Sequence, residues 1–222
     1  MVIALLPMKG HSERVRNKNL KLFNDKPLFH AIANEISKSV YIRSVIVNTD
    51  SLKIEEDINI SFSKFLISKR PPELQGDFVP MNDIINYELD KTKAEVYIQT
   101  HSTNPLLRIE TIDRAIKFFL DNRASYDSVF SVTRLQTRLY WDAGKPINHN
   151  PTELLRTQDL TPVYEENSCF YIFTKESFKN AGNKRIGVKP YLFEIDKIEA
   201  MDIDEPQDFI IAEQMYKLLR MI

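Results

Sequence analysis

Near-continuous apolar runs of strand length alternate with amphipathic segments along the first two thirds of the chain. The apolar runs are VIALL (2–6), SVIVNTD (44–50), EVYIQT (95–100) and SVFSVTR (128–134). An apolar run without strict alternation is typical of a strand that is covered on both faces of its sheet. These four segments are therefore predicted to be buried strands.

Two segments that accompany these runs have helical spacing. PLFHAIANEISKS (27–39) places Leu28, Ile32, Ala33 and Ile36 on one face, after a proline that the first turn of a helix tolerates. IETIDRAIKFFLDN (109–122) is amphipathic and opens with acidic residues, as a helix N-terminus prefers. Alternating strands and helices predict an α/β fold with a doubly wound, mostly parallel sheet, whose ligand crevice lies beyond the carboxyl ends of the strands.

The pattern breaks into prolines, polar residues and isolated aromatics between residues 139 and 167. We expect this segment to lie outside the core sheet, as a lid or as an arm that packs on a second subunit, because its large apolar side chains need burial. Those side chains are Tyr140, Trp141, Leu154 and Leu155.

The last third of the chain returns to regular elements. CFYIFT (169–174) predicts a strand, and EPQDFIIAEQMYKLLRMI (205–222) predicts a final amphipathic helix. The apolar positions of that helix are Phe209, Ile210, Ala212, Met215 and Leu218. We find no repeat or linker, so residues 1–222 are predicted to form one domain with 139–167 as an inserted arm.

Composition narrows the class of protein. Thirty basic and thirty-one acidic residues give a formal net charge of -1, which favours neither a nucleic acid nor an anionic membrane as partner. The single cysteine, Cys169, cannot form an internal disulfide, and its apolar strand makes buried packing its expected role. The chain has no signal peptide pattern and no apolar run near the roughly 20 residues that span a bilayer, so we expect a cytoplasmic protein.

The loop after the first strand is the first candidate for chemistry. PMKGHSERVRNKN (7–19) combines four cations with small and polar residues, namely Lys9, Arg14, Arg16, Lys18, Gly10, Ser12, Asn17 and Asn19. Cations and close backbone amides are what a nucleoside triphosphate requires, although the Walker spacing is absent. A solvated charged loop is the alternative, and the position at the carboxyl end of the first strand favours phosphate binding.

Two acidic residues near the other end are the second candidate. Asp202 and Asp204 flank Ile203, and on an extended segment both carboxylates point to one face while Ile203 turns into the core. Two hard oxygen anions suit Mg²⁺, which takes its other ligands from water and from substrate phosphates. The alternative is an acidic approach to a helix N-terminus.

Read together, these segments and four others resemble the acylneuraminate (CMP-sialic acid and CMP-nonulosonic acid) cytidylyltransferase family, which is related to the CMP-Kdo synthetases. MKGHSERVRNKNL resembles A-R-x-x-S-x-x-x-x-x-K-N, NTD resembles S-T-D, and RPPELQGD resembles R-P-x-E-L…D. IQTHSTNPLLRIETIDRAI is similar to L-Q-P-T-S-P-L-R…I-x-x-A but two residues longer after Gln99. RTQDLTPVYEENSCFYI and MDIDEPQDFIIAE match R-x-Q-x-L-P-x-x-Y-R-x-N-G-A-I-Y-I and I-D-I-D-T-x-x-D…A-E.

The resemblance implies a nucleotidyltransferase fold and transfer of CMP from CTP to the anomeric hydroxyl of a 2-keto-3-deoxy sugar acid, with release of pyrophosphate. It implies that Lys9, Ser12 and Lys18 bind the CTP phosphates, with Lys18 stabilising the transition state. By the same resemblance, Asn19 and Arg70 hold the nucleotide, and Arg70 lies near the cytosine.

The resemblance also assigns the acceptor and metal sites. Gln99, Arg156 and Tyr164 are expected near the acceptor sugar, and Asp202 and Asp204 are expected to carry Mg²⁺. Either Asp202 or a metal-bound hydroxide accepts the sugar proton. The arm is expected to exchange across a homodimer.

Three departures from the family pattern bear on the substrate. Glu13 stands where many members have a basic residue, and Glu165 stands in place of the arginine of Y-R-x-N. Ser168 and Cys169 replace Gly-Ala. Either Arg14, Arg16 and Arg156 compensate for the lost charge, or the acceptor is less anionic or differently substituted than sialic acid.

Two other functions stay open on the sequence. One is a related sugar nucleotidyltransferase that uses another nucleotide or a sugar-phosphate acceptor. The other is a degenerate nucleotide-binding scaffold without turnover, which the two charge reversals motivate.

Overall fold

The computed structural model describes residues 1–219. Its centre is a seven-stranded sheet with helices on both faces. The strands are β1 (Val2–Leu5), β2 (Leu22–Phe23), β3 (Lys26–Pro27), β4 (Ile42–Thr49), β5 (Phe65–Lys69), β6 (Val96–Thr100), β7 (Ser128–Leu135), β8 (Val163–Phe173) and β9 (Pro190–Glu194). Of these, β2 and β3 form a separate two-stranded sheet. The helices are α1 (Phe29–Ser37), α2 (Leu52–Ser61), α3 (Met81–Lys91), α4 (Ile109–Asp121), α5 (Lys175–Asn180) and α6 (Pro206–Leu219).

The order of strands in the main sheet is β5-β4-β1-β6-β8-β7-β9. β1 pairs in parallel with both β4 and β6, and only β8 runs antiparallel to its two neighbours, β6 and β7. The predicted α/β fold with a mostly parallel, doubly wound sheet is confirmed. The strand order reverses between β1 and β6, which makes the loops after these two strands the expected walls of a ligand crevice.

Apolar residues cover the sheet on both faces. α1, α2 and α4 pack on one face through residues such as Ile32, Ile58 and Ile112. α3 and α5 pack on the other face, where Leu89 and Phe178 meet alternate residues of β1 and β6. This double cover explains why the strands read as continuous apolar runs.

One correction concerns the strand after the arm. We expected residues 139–167 to lie outside the sheet, but β8 begins at Val163 and its first residues pair with the end of β7. The register shifts between Phe130 and Val132, and Ser168 has a φ of 58°, so an irregularity joins the polar and apolar halves of β8. Polar residues on the outer half of this strand hid it from a search for apolar runs.

Two helices also differ from the prediction, one in its first residue and one in its buried face. α1 begins at Phe29, and Pro27 ends the short strand β3 that precedes it. In α6, Phe209 and Ala212 are buried against the small cluster around Phe23, but Ile210 and Leu218 are exposed. The predicted apolar face of α6 is therefore only half correct, and residues 220–222, which the prediction included in this helix, lie outside the described residues.

Across residues 1–219, none of the helices has both the length and the apolar character needed to span a bilayer. The cytoplasmic address stays a prediction.

Candidate active site

A cavity of about 450 Å³ lies at the carboxyl ends of β1 and β6, where the strand order reverses. Three segments form its walls: the basic loop (residues 7–19) after β1, the segment 70–84 that includes the start of α3, and residues 101–103 after β6. The predicted phosphate-binding residues Lys9, Ser12 and Lys18 all line it. The sheet topology thus brings the basic loop to the crevice that the alternating pattern predicted.

Gly10 lets the basic loop pass close to the end of β4. Its backbone N–H donates to Asp50 Oδ1 at 2.6 Å, and a Cβ at this position would lie 2.8 Å from the Cβ of Ser51. Real Cβ atoms do not approach so closely, so glycine is required here by packing. The contact holds the first turn of the basic loop against the sheet.

Asn19 ties the basic loop to the loop after β6. Its side-chain Nδ2 donates to the carbonyl of Lys9 at 2.9 Å, and its Oδ1 accepts from Ser102 Oγ at 2.6 Å. Asn19 is buried and lines the cavity. Its amide therefore shapes the cavity wall, and its expected contact with the nucleotide stays a prediction.

Lys18 joins the basic loop to the acidic pair at the far end of the chain. Its Nζ donates to the carbonyl of Ile203 at 2.5 Å and lies 3.8 Å from Asp204 Oδ1. Burial lowers the pKa of the Lys18 ammonium, and the charges of Asp202 and Asp204 oppose that shift. The two segments singled out in the sequence, separated by more than 180 residues, thus meet at one ammonium group.

The charges of Asp202 and Asp204 both act on the Lys18 ammonium, and Ile203 between them turns into the core, as predicted. Ile203 between them is fully buried, and its N–H donates to the carbonyl of Thr103 at 3.0 Å. Burial raises the pKa of the Asp202 carboxyl, and the charge of Asp204 raises it further. Asp202 Oδ1 is buried and has no hydrogen-bond partner among the described residues.

The donor set at this point fits Mg²⁺. Residues 1–219 contain no group of three or more His, Cys, Asp or Glu side chains that could hold a metal ion by themselves. Mg²⁺ needs no such group, because it retains several waters and shares oxygens of a bound phosphate. The unpartnered Oδ1 of Asp202 is the kind of hard oxygen that such an ion takes as a ligand.

Carboxylates already pair with two of the other cations of the basic loop, Lys9 and Arg14. Lys9 Nζ pairs with Asp77 Oδ1, and this contact lowers the pKa of the Asp77 carboxyl. Arg14 Nη2 lies 2.6 Å from Asp204 Oδ1. Both arginine and lysine are partly exposed, so a polyanion can replace these carboxylates at low cost.

Arg70 is buried at the base of the same cavity. Its Nε donates to Asn48 Oδ1 at 2.6 Å, and its Nη2 donates to the Asn48 carbonyl at 3.0 Å. Asn48 Nδ2 in turn donates to the buried carboxylate of Glu88 at 2.6 Å. This chain of hydrogen bonds fixes the guanidinium of Arg70 in the cavity wall.

A second cavity, of about 800 Å³, adjoins the acidic pair on its other side. Its walls come from the end of β7, the outer half of β8 and the segment 197–204, and Asp202 and Asp204 line it. Since Lys18 lies in the first cavity and touches Ile203, the acidic segment separates the two spaces. A group transferred from one cavity to the other would pass these residues.

Gln99 lies between the two cavities but lines neither of them. It is fully buried on β6, where its Nε2 is 3.0 Å from His101 Nε2 and its Oε1 accepts from Arg185 Nη1 at 2.6 Å. Burial lowers the pKa of His101 to about 3, so this ring is neutral. Contact of Gln99 with an acceptor stays a prediction.

Arg185 is the residue of this region that the sequence analysis did not identify. It follows α5 in a polar segment without a motif, and its guanidinium carbon lies 4.1 Å from the centre of the Tyr171 ring. The run NKR at 183–185 carries no spacing signal that distinguishes it from a solvated loop.

Arg156 and Tyr164 lie away from both cavities of this chain. Arg156 is exposed on the arm and forms an ion pair with Asp159 at 2.7 Å. Tyr164 is an exposed residue at the outer end of β8, opposite Arg134. Their expected contact with an acceptor requires another chain or a movement of the arm, and it stays a prediction.

Comparison with curated proteins finds sugar-acid cytidylyltransferases. The chain is 29% identical over 221 residues to N-acylneuraminate cytidylyltransferase A of Danio rerio, which covers 96% of this chain and 50% of that protein. It is 26% identical to the CMP-N,N'-diacetyllegionaminic acid synthase of Legionella pneumophila, over 98% and 97% of the two chains. It is 23% identical to the pseudaminic acid cytidylyltransferase of Campylobacter jejuni, over 97% and 96%.

The chain therefore spans about half the length of the Danio rerio protein and nearly the whole length of the two bacterial ones. Among solved structures it is similar to CMP:2-keto-3-deoxy-manno-octonic acid synthetase complexed with CTP. That pair has a TM-score of 0.72 and 13% identity, over 98% and 99% of the two chains. It is similar also to a 4-diphosphocytidyl-2C-methyl-D-erythritol synthase, with a TM-score of 0.70, 13% identity and coverage of 97% and 98%.

At these identities the structural likeness concerns the fold alone. The family assignment rests on the sequence, because the model of the cytidylyltransferase family matches residues 3–220, nearly the whole chain. This chain therefore belongs to the cytidylyltransferase family.

Proposed function

We propose that this protein transfers CMP from CTP to the anomeric hydroxyl of a 2-keto-3-deoxy sugar acid and releases pyrophosphate. The acceptor class is sialic, legionaminic, pseudaminic or a related acid. The observation that carries the proposal is the contact of Lys18 with Ile203, 3.8 Å from Asp204, between a cation-lined cavity and a second, larger one. Two cavities that meet at an ammonium and two carboxylates suit the joining of a nucleotide to a second substrate.

The first cavity is the proposed nucleotide site. Its volume of about 450 Å³ lies within the range of small-ligand pockets. Lys9, Ser12 and Lys18 bind the triphosphate, while the hydrogen-bonded guanidinium of Arg70 lies near the base and Asn19 shapes the wall. On CTP binding, the phosphates replace Asp77 as the partner of Lys9.

Asp202 and Asp204 are the proposed Mg²⁺ ligands. When bound, this ion neutralises part of the charge on the triphosphate. Lys18 donates to the phosphate group under attack and stabilises the charge that develops on it, because its ammonium is held almost out of solvent next to the acidic pair. Its present partner, the carbonyl of Ile203, keeps the ammonium in place before the nucleotide arrives.

The second cavity is the proposed acceptor site. Holding the sugar hydroxyl against the α-phosphorus is the main task, since positioning supplies much of the catalysis in such transfers. Asp202 and Asp204 both border this cavity, and Asp202, whose Oδ1 has no hydrogen-bond partner among the described residues, is the proposed acceptor of the sugar proton.

We further propose that the arm packs against a second copy of the chain. Trp141 and Tyr140 are more than half exposed, and Leu154 is 93% exposed. Several large apolar side chains that are exposed on one segment, as on this arm, are typical of a protein interface. In such a homodimer, Arg156 and Tyr164 would approach the acceptor cavity of the neighbour.

Pyrophosphate release tests the reaction. The purified protein is incubated with CTP, Mg²⁺ and each of four acids: N-acetylneuraminic, legionaminic, pseudaminic and 2-keto-3-deoxy-octonic acid. We expect CTP-dependent pyrophosphate release with at least one of them, and a product that contains CMP and the acid. Release with UTP or ATP in preference to CTP would favour a related sugar nucleotidyltransferase, and CTP binding without release would favour a nucleotide-binding scaffold.

A further inference from the structure

Arg185 is a half-buried cation that the proposed reaction has not yet used. It lies in the segment between α5 and β9, its Nη1 donates to Gln99 Oε1, and its guanidinium stacks on the ring of Tyr171. It forms no ion pair with a carboxylate among residues 1–219, and only one of its nitrogens donates a hydrogen bond there.

Most N–H groups of the Arg185 guanidinium therefore donate to no acceptor among residues 1–219. Burial lowers the pKa of Arg185, and the charges of Tyr171 and Glu166 oppose that shift without cancelling it, so the protonated guanidinium carries a charge that its surroundings compensate only in part. Buried cations are normally paired, because an unpaired charge away from water is costly. The planar fork of a guanidinium matches a carboxylate in a bidentate pair, so an acid ligand is the partner that best completes it.

Its neighbours place Arg185 between the two cavities. Through Gln99 it is linked to His101, which lines the nucleotide cavity beside Lys18. Through Tyr171 it is linked to the second cavity, because the Tyr171 hydroxyl bonds to Glu166 and lies 3.0 Å from Ser168, which both line that cavity. Arg185 itself lines neither cavity, and its contact with the proposed acceptor site runs through the neighbours of Tyr171.

Among the described residues that line the second cavity, neither cation is buried, so an acid bound there needs a buried cation from a neighbouring position. Glu165 lines this cavity where the family resemblance leads one to expect an arginine, and its carboxylate forms no hydrogen bond or ion pair among the described residues. Arg134 and Lys197 line the cavity too, but both are exposed, so water competes for any carboxylate that they bind.

We propose that Arg185 binds the carboxylate of the acceptor acid and makes the enzyme selective for acids over their neutral analogues. The inference rests on the proposed function. In a cyclic 2-keto sugar acid, the carboxylate and the anomeric hydroxyl sit on the same carbon atom. A guanidinium held by Gln99 and Tyr171 therefore fixes the position of the attacking hydroxyl as well as the charge.

The test compares an acid with its ester. Steady-state pyrophosphate release is measured for the best acid of the panel and for its methyl ester, with the wild-type protein, Arg185→Met and Arg185→Lys. The control is Arg43→Gln, an exposed arginine at the opposite end of β4. Thermal unfolding of each variant checks that it is folded, and calorimetric titration of acid and ester into the CTP-free protein measures binding independently of turnover.

For the wild type we expect kcat/KM to be about 10- to 100-fold higher for the acid than for the ester, the range of one charged hydrogen-bonded pair. Arg185→Met should bring the acid down to the level of the ester, with the KM for CTP unchanged. Arg185→Lys, which keeps the charge without the fork, should restore only part of the preference. Arg43→Gln should match the wild type.

Two results would overturn the assignment and leave the proposed function intact. One is a folded Arg185→Met that keeps the full preference for the acid, and the other is an equal loss for acid and ester, which would assign Arg185 a structural role. A wild type that binds the acid but releases no pyrophosphate would instead refute the proposed function, and the same preference measured by titration would still decide the role of Arg185.

Discussion

Replacing Lys18 with methionine separates the catalytic role of its ammonium from its structural one. Methionine keeps the length and apolar stem of the side chain and removes the charge. Lys18 is 12% exposed, and its Nζ lies 3.8 Å from Asp204 Oδ1. At an effective dielectric constant of about 20, two unit charges at that distance attract by about 4 kcal/mol.

Most of that attraction does not contribute to folding stability. The Asp204 side chain is 49% exposed, so solvent screening leaves about 1 kcal/mol or less for the pair. Removing the ammonium also removes the burial penalty that lowers its pKa. Methionine also removes the hydrogen bond to the Ile203 carbonyl, so we expect the free energy of unfolding to fall by about 1–2 kcal/mol, or about 2–8 °C in melting temperature for a chain of this size.

Turnover should respond far more strongly. A preorganised donor to developing charge contributes about 10²- to 10³-fold to kcat. The measurement is single-turnover pyrophosphate release with saturating CTP, with Lys26→Met, an exposed lysine of β3, as the matched control. A kcat within about threefold of the wild type in folded Lys18→Met would refute the role given to Lys18, and so would a loss of activity that merely follows a loss of stability.

Three further results are expected. Gly10→Ala should lower stability by about 1–3 kcal/mol in thermal unfolding, because its new methyl group would lie 2.8 Å from Ser51 Cβ, and an unchanged melting temperature would contradict the packing argument. Burial raises the pKa of the Cys169 thiol, so a disulfide reagent should modify it only after denaturation, and rapid modification of the native protein would show that the strand is open. Light scattering should give twice the chain mass of 25.9 kDa for the wild type and the chain mass itself for Trp141→Ser combined with Leu154→Ser; a monomeric wild type would exclude the dimer.

The buried strands were predictable because a strand that is covered on both faces of the sheet reads as a continuous apolar run. The helices that cover the sheet were predictable from their amphipathic spacing. β4, β6, β7 and α4 lie within a few residues of the predicted segments. The outer half of β8 was missed for the opposite reason, since VYEEN borders a polar cavity and carries no apolar run. On α6, tertiary packing uses Phe209 and Ala212 and leaves Ile210 in solvent, which helical periodicity alone does not distinguish.

For the site, the sequence by itself determined the chemical groups: a basic loop after the first strand and two carboxylates flanking a buried isoleucine. Only the tertiary structure decided that Lys18 contacts the segment of Asp204 and that this segment lies between two cavities. It also decided that Arg185 donates a hydrogen bond to Gln99. The physical reason is the range of the interactions. Hydrophobic periodicity and backbone geometry act over a few residues, whereas these contacts join groups 86 to 186 positions apart and depend on how the strands are ordered.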